Sequence, residues 1–238
     1  MPKIAIVEAG LVSREVRAQH GSFPQMFERM IRAADASASF ATIRLADGEG
    51  LPDPAGLEAI LITGSSAGVY DDLDWIAPLE RFVGAAYEAG VPTVGVCFGH
   101  QLIAQALGGT VRKSERGWGI GCHVYDVMPN NGVIDGEKIA IACSHQDQVI
   151  EPPAGATTIL RSTFTPHAGL LYANGTTLSV QPHPEFTAAF ARICCEKAGQ
   201  DSAPEALVAT AKASLEQPLD SADLGFAIAR FLAKPRKS

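Results

Sequence analysis

The sequence is a 238-residue chain with a formal charge of −7, which arises from 26 acidic and 19 basic residues. Its 47% of hydrophobic residues is enough to bury a sizeable core and is unlike a disordered chain. The acidic balance, without a basic face, argues against a nucleic-acid-binding protein. The apolar run Ile4–Val7 is too short for a secretory signal, and no apolar stretch approaches membrane-spanning length. We therefore expect a soluble, cytoplasmic protein without membrane contact.

The first half of the chain alternates predicted strands with predicted helices. Short β-branched or continuously apolar runs predict buried strands, and apolar residues spaced three or four apart predict the helices between them. This alternation indicates a parallel sheet with helices on both faces. The predicted strands are Lys3–Val7, Ala41–Leu45, Ala59–Thr63 and Val91–Val96, and the predicted helices are Phe23–Ala34, Trp75–Ala89 and Phe98–Leu107.

After Gly109 the pattern changes to short strand candidates separated by turns such as Asn174-Gly175, which favour hairpins over crossovers. From Phe186 the chain reads as helical to its end. We expect residues 1–190 to form one α/β domain and residues 191–238 a helical C-terminal extension packed on it. The strand candidates lie around Val111 and at Gly121–Met128, Lys138–Ala142, Thr157–Arg161, Ala168–Ala173 and Thr177–Gln181.

The C-terminal helices have predicted starts and apolar faces. Ser202 and Glu205 have the spacing of a capping box, and Asp220 or Ser221 can cap the last helix. The apolar face of that last helix is more typical of core packing than of a partner groove, although it could cover a homodimer contact. The two faces are Leu207, Val208, Ala211 and Leu215, and Leu224, Ile228, Phe231 and Leu232.

Cys97 differs in its setting from the other cysteines, which we expect to be small buried hydrophobes and not a disulfide framework. A buried strand runs into Gly95-Val96-Cys97-Phe98-Gly99 and directly on into a helix. This is the layout of a nucleophile elbow with cysteine in place of serine, and the helix N-terminus favours a thiolate. The alternative is a structural cysteine between two unrelated glycines. The other four are Cys122, Cys143, Cys194 and Cys195.

A thiolate nucleophile needs a base and a group that orients the base. His183 and Glu185 lie two residues apart in a Pro-His-Pro-Glu segment that favours extended backbone, so both side chains point to one face. Glu185 is then placed to hold one ring nitrogen of His183. The alternative is a surface turn with a solvated carboxylate. His100 is a rival base because it lies one helical turn after Cys97, but no acid stands in similar register with it.

Two backbone N–H groups are candidates for an oxyanion hole. The residue after the nucleophile, Phe98, offers one, and the turn Thr63-Gly64-Ser65 at the end of a neighbouring predicted strand offers the other. The spacings His145-x-Asp147 and His183-x-Glu185 have no third ligand in register. We therefore expect no metal and no cofactor.

Three of these segments together resemble the signatures of class I glutamine amidotransferases, nearest the glutaminase domain of GMP synthases. They are Gly95–Gln101, Gln181–Glu185 and the turn at Gly64, and their order and spacing match from Lys3 to about Phe190. The resemblance implies a flavodoxin-like α/β fold with a central, mostly parallel sheet flanked by helices.

The resemblance also implies a mechanism. Cys97 would attack the γ-amide carbon of glutamine or a γ-glutamyl amide, with His183 as base and Glu185 orienting it. A γ-glutamyl thioester would form and water would hydrolyse it, while the Gly64 and Phe98 N–H groups bind the oxyanion. The substrate-binding positions that the resemblance implies are Gln101, Gly117, Trp118 and His145.

Two departures from the family pattern lie close to these residues. The usual Gly-Gly-Pro turn is Thr63-Gly64-Ser65 here, and the commoner Gln-Phe-His is Gln181-Pro182-His183. Two enzymatic functions stay open: a free-standing hydrolase of γ-glutamyl amides, and a glutaminase subunit that supplies ammonia to a separate synthetase. The roughly 50 residues after Glu185 leave no room for an acceptor domain, which favours the first. A catalytically silent binding or regulatory domain is a third reading, against which the intact Cys97, His183 and Glu185 argue.

Overall fold

The computed structural model describes residues 2–236 and contains a nine-stranded sheet in the order β2-β1-β3-β4-β11-β10-β9-β6-β7, with β5 and β8 forming a separate pair. The strands are β1 (Lys3–Glu8), β2 (Ser39–Arg44), β3 (Ala59–Ile62), β4 (Thr93–Val96), β5 (Thr110–Lys113), β6 (Gly119–Val127), β7 (Lys138–His145), β8 (Asp147–Glu151), β9 (Thr157–Arg161), β10 (Gly169–Leu171) and β11 (Thr177–Val180). The helices are α1 (Arg14–His20), α2 (Phe23–Ala34), α3 (Ile76–Glu88), α4 (Phe98–Ala106), α5 (Ala188–Asp201), α6 (Glu205–Ser214) and α7 (Ser221–Leu232).

Five parallel strands, β2-β1-β3-β4-β11, form one half of the large sheet. Helices α2 and α7 cover one face through Phe27 and Phe231, and α3 and α4 cover the other through Leu79 and Leu102. Strands β3 and β4 are buried along their whole length, which is why they read as continuous apolar runs. The carboxyl ends of β3, β4 and β11 meet at one edge, where open α/β sheets place their sites.

The second half of the sheet is antiparallel, as the hairpin turns predict. β11, β10, β9, β6 and β7 pair in antiparallel register, and β6 and β7 form a long hairpin. The side chain of Asn131 closes its turn by accepting from the N–H groups of Val133 and Ile134. Helices α5 and α6 cover β6 and β7 with a third apolar cluster.

The predicted capping box at Ser202 and Glu205 is wrong. Ser202 ends α5, and its hydroxyl accepts a hydrogen bond from the indole N–H of Trp118 at 2.9 Å. Pro204 stands at the N-cap of α6, without a side-chain bond. A capping box does occur at α2, between Ser22 and Gln25.

The last helix packs as core, because Leu224, Ile228, Phe231 and Leu232 are all buried. Asp220 is its N-cap residue, but the Asp220 carboxylate accepts from the Ala140 N–H at 2.8 Å and ties α7 to β7. Helix α5 crosses residue 190, so the division of the chain there stays a prediction. Within residues 2–236, no helix combines the length and the apolar character needed to cross a bilayer.

Candidate active site

Cys97 occupies a strained turn between β4 and α4. Its backbone angles are φ 54° and ψ −104°, in a region that residues other than glycine rarely adopt. The backbone around Gly95 and Gly99 is too close to other atoms to accommodate a side chain at either position. A Cβ on Gly95 would lie 2.4 Å from the carbonyl oxygen of Gly99, and one on Gly99 would lie 2.5 Å from that of Ile62. The segment therefore has the geometry of an elbow that projects Cys97 at the carboxyl end of the sheet.

The surroundings of Cys97 set it apart from the other cysteines. All five are free thiols in the described part of the chain. Burial raises the pKa of Cys122, Cys143, Cys194 and Cys195, which keeps those four as thiols at neutral pH. Cys97 Sγ lies at the N-terminus of α4, 3.9 Å from the carbonyl oxygen of Ser144.

The pairing of β11 with β4 brings His183 to Cys97. Val180 lies beside Val96 in register, and the Cys97 N–H donates to the Val180 carbonyl at 2.9 Å. Three residues further on, His183 Nδ1 donates to Glu185 Oε1 at 2.7 Å. Both side chains are less than 5% exposed. The segment is a turn and not the extended chain that we predicted, because the Phe186 N–H donates to the His183 carbonyl at 3.3 Å. This turn still brings the Glu185 carboxylate to the imidazole.

Phe186 holds the plane of the His183 ring. The two rings stack with centroids 3.9 Å apart and planes 6° from parallel, and Phe190 meets Phe186 edge-on at 4.5 Å. Sequence reasoning did not single out Phe186. The available signal was an aromatic residue directly after the Pro-His-Pro-Glu segment, where the family's aromatic residue before the histidine is replaced by Pro182.

The electrostatics separate His183 from its rival His100. Burial opposes a charge on His183, but the Glu185 carboxylate and Cys97 outweigh it and raise the pKa of His183 to about 10. Burial lowers the pKa of His100 to about 3, and its Nδ1 lies 2.7 Å from the hydroxyl oxygen of Ser179. At neutral pH the arrangement therefore presents an imidazolium at His183 and a neutral ring at His100.

The predicted oxyanion turn lies beside both groups. A Cβ on Gly64 would be 3.1 Å from His183 Cε1 and 3.7 Å from Cys97 Cβ. The Thr63 hydroxyl donates to the Gly64 carbonyl at 3.0 Å and accepts from the Ala9 N–H at 3.1 Å, so the threonine braces the turn in the absence of a proline. The Phe98 N–H belongs to the first turn of α4, where amides lack intrahelical partners.

The residues implied as substrate contacts divide into two groups. Gln101 Nε2 and His145 Nδ1 lie 2.9 and 3.0 Å from the backbone carbonyl oxygen of Asp147, the first residue of β8. Gly117 and Trp118 directly precede β6, whose first residue, Gly119, pairs with His145, and the Trp118 indole is turned toward Ser202. The structure thus brings Gln101 and His145 to one carbonyl and places Gly117 and Trp118 next to the strand residue that pairs with His145.

Two further features complete the surroundings of the site. The Tyr70 hydroxyl lies 2.9 Å from both carboxylate oxygens of Asp147, joining the loop after β3 to the start of β8. Tyr70 was not predicted; the signal that could have found it is a tyrosine that closes the glycine-rich turn after β3. Within residues 2–236, no cluster of three or more histidine, cysteine or carboxylate side chains could hold a metal ion.

Comparison with known proteins gives one family. Residues 20–191 match the model of the class-I glutamine amidotransferase family. Gamma-glutamyl peptidase 4 of Arabidopsis thaliana is 30% identical over 177 residues, covering 70% of this chain and 69% of the relative. A glutamine amidotransferase-like protein of Schizosaccharomyces pombe is 33% identical over 138 residues, and the chain spans only 55% of its length. GMP synthase of Bordetella parapertussis is 30% identical over 186 residues, covering 74% of this chain and 32% of the synthase.

Solved structures agree on the fold. A glutamine amidotransferase from Methylobacillus flagellatus superposes with a TM-score of 0.79 at 18% identity, covering 100% of this chain and 97% of that one. A glutamine amidotransferase from Thermotoga maritima gives a TM-score of 0.75 at 19% identity, covering 98% and 100%. The predicted α/β fold with a central sheet flanked by helices is confirmed.

Proposed function

Because the chain belongs to the class I glutamine amidotransferase family, we propose that it hydrolyses a γ-glutamyl amide bond through a thioester on Cys97. The observation that carries this proposal is the buried His183–Glu185 pair, 2.7 Å apart, beside a cysteine held in a strained elbow. A base with a fixed tautomer next to an activated nucleophile is the arrangement that acyl transfer needs.

In the first half of the reaction, the Cys97 thiolate attacks the carbonyl carbon of the γ-amide. The carbonyl electrons move to oxygen, and the oxyanion accepts hydrogen bonds from the Gly64 and Phe98 N–H groups. The tetrahedral species collapses, the carbon–nitrogen bond breaks, and the His183 imidazolium gives its proton to the leaving nitrogen. The products of this half are a free amine or ammonia and a γ-glutamyl thioester.

In the second half, neutral His183 takes a proton from water, and the resulting hydroxide attacks the thioester carbonyl. The carbon–sulfur bond breaks, glutamate leaves and the thiolate–imidazolium pair is restored. Glu185 keeps the His183 ring in one tautomer throughout, because its carboxylate accepts from Nδ1 and leaves Nε2 free. Gln101 and His145 are the residues we assign to the glutamyl end of the substrate.

A second function is favoured by the similarity to GMP synthase, of which the matched region is only 32%. In that case the same chemistry would supply ammonia to a separate synthetase. The gamma-glutamyl peptidase match covers far more of its relative, so free-standing hydrolysis is the function that we propose. The unpaired cysteines fit a reducing compartment, and we place the activity in the cytoplasm.

The purified chain alone, assayed for glutamate release from glutamine and from a panel of γ-glutamyl amides, tests this proposal. We expect turnover of at least one γ-glutamyl amide without any partner and none by the Cys97→Ser variant. Glutaminase activity that appears only when a synthetase is added would support the second function. No turnover under either condition would favour a silent binding domain.

A further inference from the structure

Two buried hydrogen bonds join helix α4 to strand β11 just behind the elbow. His100 Nδ1 lies 2.7 Å from Ser179 Oγ, and Gln101 Nε2 donates to Gln181 Oε1 at 3.0 Å. His100 and Gln101 are consecutive on the first turn of α4, while Ser179 lies in β11 and Gln181 directly follows that strand. We call these four residues the α4–β11 brace.

The brace consists of buried polar side chains, whose removal from water costs more free energy than that of apolar side chains. All four side chains are at most 3% exposed. Within residues 2–236, Gln181 Nε2 has no hydrogen-bond partner, so burial of this amide is only partly compensated. Burial also lowers the pKa of His100 to about 3, so its ring stays neutral over the pH range of the protein. Stability alone therefore does not account for the brace.

The position of the brace relates directly to the reacting groups. Cys97 is the N-cap of the helix that carries His100, and His183 follows four residues after Ser179. A shift of α4 against β11 would move the thiol relative to the imidazole. The attraction between two charged groups in a buried site falls as they separate.

We infer that His100 and Ser179 are positioning residues that fix the distance between the Cys97 thiolate and the His183 imidazolium. The inference rests on the proposed function, because it assigns those two groups to the reaction. Neither residue touches the reacting atoms, and Gln101 and Gln181 support the same link one residue further along.

The test compares three variants in the full chain. Ser179→Ala removes the strand side of the link. Tyr172→Phe is the matched control, because the Tyr172 hydroxyl lies 3.1 Å from the same Ser179 Oγ and is equally buried but does not belong to α4. His100→Asn keeps a polar atom near the position of Nδ1. The first readout is the pH dependence of Cys97 alkylation by iodoacetamide, followed by peptide mass spectrometry, and the second is kcat and KM for γ-glutamyl amide hydrolysis.

We expect Ser179→Ala to move the acid limb of alkylation upward by about one pH unit and to lower kcat about tenfold, with KM within about twofold. His100→Asn should stay within about threefold of the wild-type kcat, and Tyr172→Phe within about twofold. An unchanged alkylation profile in Ser179→Ala, or an equal change in Tyr172→Phe, would overturn the inference. Alkylation of Cys97 needs no substrate. If Ser179→Ala shifts the pH dependence of alkylation but the wild-type chain hydrolyses no γ-glutamyl amide, the proposed function is refuted and the positioning role of the brace is supported.

Discussion

Replacing Glu185 by glutamine isolates the charge that stabilises the imidazolium. The carboxylate lies 2.7 Å from His183 Nδ1, and glutamine has the same size and keeps an oxygen acceptor. The rise in the pKa of His183 from its ordinary 6.5 to about 10 corresponds to about 5 kcal/mol in favour of the charged ring. Burial opposes that rise, and the Glu185 carboxylate makes the largest contribution in its favour, with Cys97 second. If Glu185 supplies about 3 kcal/mol, kcat of Glu185→Gln should fall by about 10²-fold.

Two measurements check this magnitude. Steady-state hydrolysis of the best γ-glutamyl amide gives kcat and KM, and NMR of histidine-labelled protein gives the pKa of His183. We expect KM within about threefold of the wild-type value, because Glu185 does not face the substrate. Glu216→Gln is the matched control, since Glu216 pairs with Arg192 on the surface and should leave both values unchanged. A kcat within threefold of wild type, with His183 still titrating near 10, would refute the reasoning.

Three further predictions concern stability, each measured by thermal unfolding. Gly99→Ala should lower the free energy of unfolding by about 1 to 3 kcal/mol, because its Cβ would lie 2.5 Å from a backbone oxygen. Gly84→Ala is the control, because a Cβ at that position in α3 meets nothing within 4 Å and should not destabilise the fold. Equal melting temperatures for the two variants would contradict this prediction. Ser22→Ala should lower the free energy of unfolding by about 1 kcal/mol, because it removes a helix cap, and an unchanged melting temperature would contradict this. The raised pKa of His183 contributes stability that is fully present below about pH 6.5 and is lost as pH rises through about 10. The melting temperature of the wild-type chain should therefore fall over that pH range more than that of Glu185→Gln. Parallel curves of melting temperature against pH would contradict this prediction.

The parallel half of the fold was predictable because its strands are buried on both faces. Strands of that kind are short apolar runs, as at Ala59–Ile62, and the helices between them keep a 3.6-residue apolar period, so α2 was predicted to the residue. The elbow was predictable because it depends on the two glycines that flank the nucleophile. The contact between His183 and Glu185 was predicted from an extended segment, whereas Pro184 and Glu185 form a turn.

The elements that were missed depend on distant contacts. Helix α1 has no buried residue and therefore no apolar period, and β8 pairs with β5 across nearly 40 residues. Ser202 matched a capping pattern, but the Trp118 indole, 84 residues away, takes its hydroxyl. The stacking of Phe186 on His183 and the brace between α4 and β11 likewise follow from strand order, which a single sequence does not specify.

Rapid-quench mass spectrometry of the chain during turnover tests the central claim most directly. We predict a γ-glutamyl adduct on Cys97 that accumulates when glutamine or a γ-glutamyl amide is mixed with the wild-type chain and decays as glutamate is released. The His183→Ala variant should form little of it, and the Cys97→Ser variant should show no thioester. Hydrolysis by the wild-type chain with no adduct on Cys97, or with the adduct on another cysteine, would contradict the account.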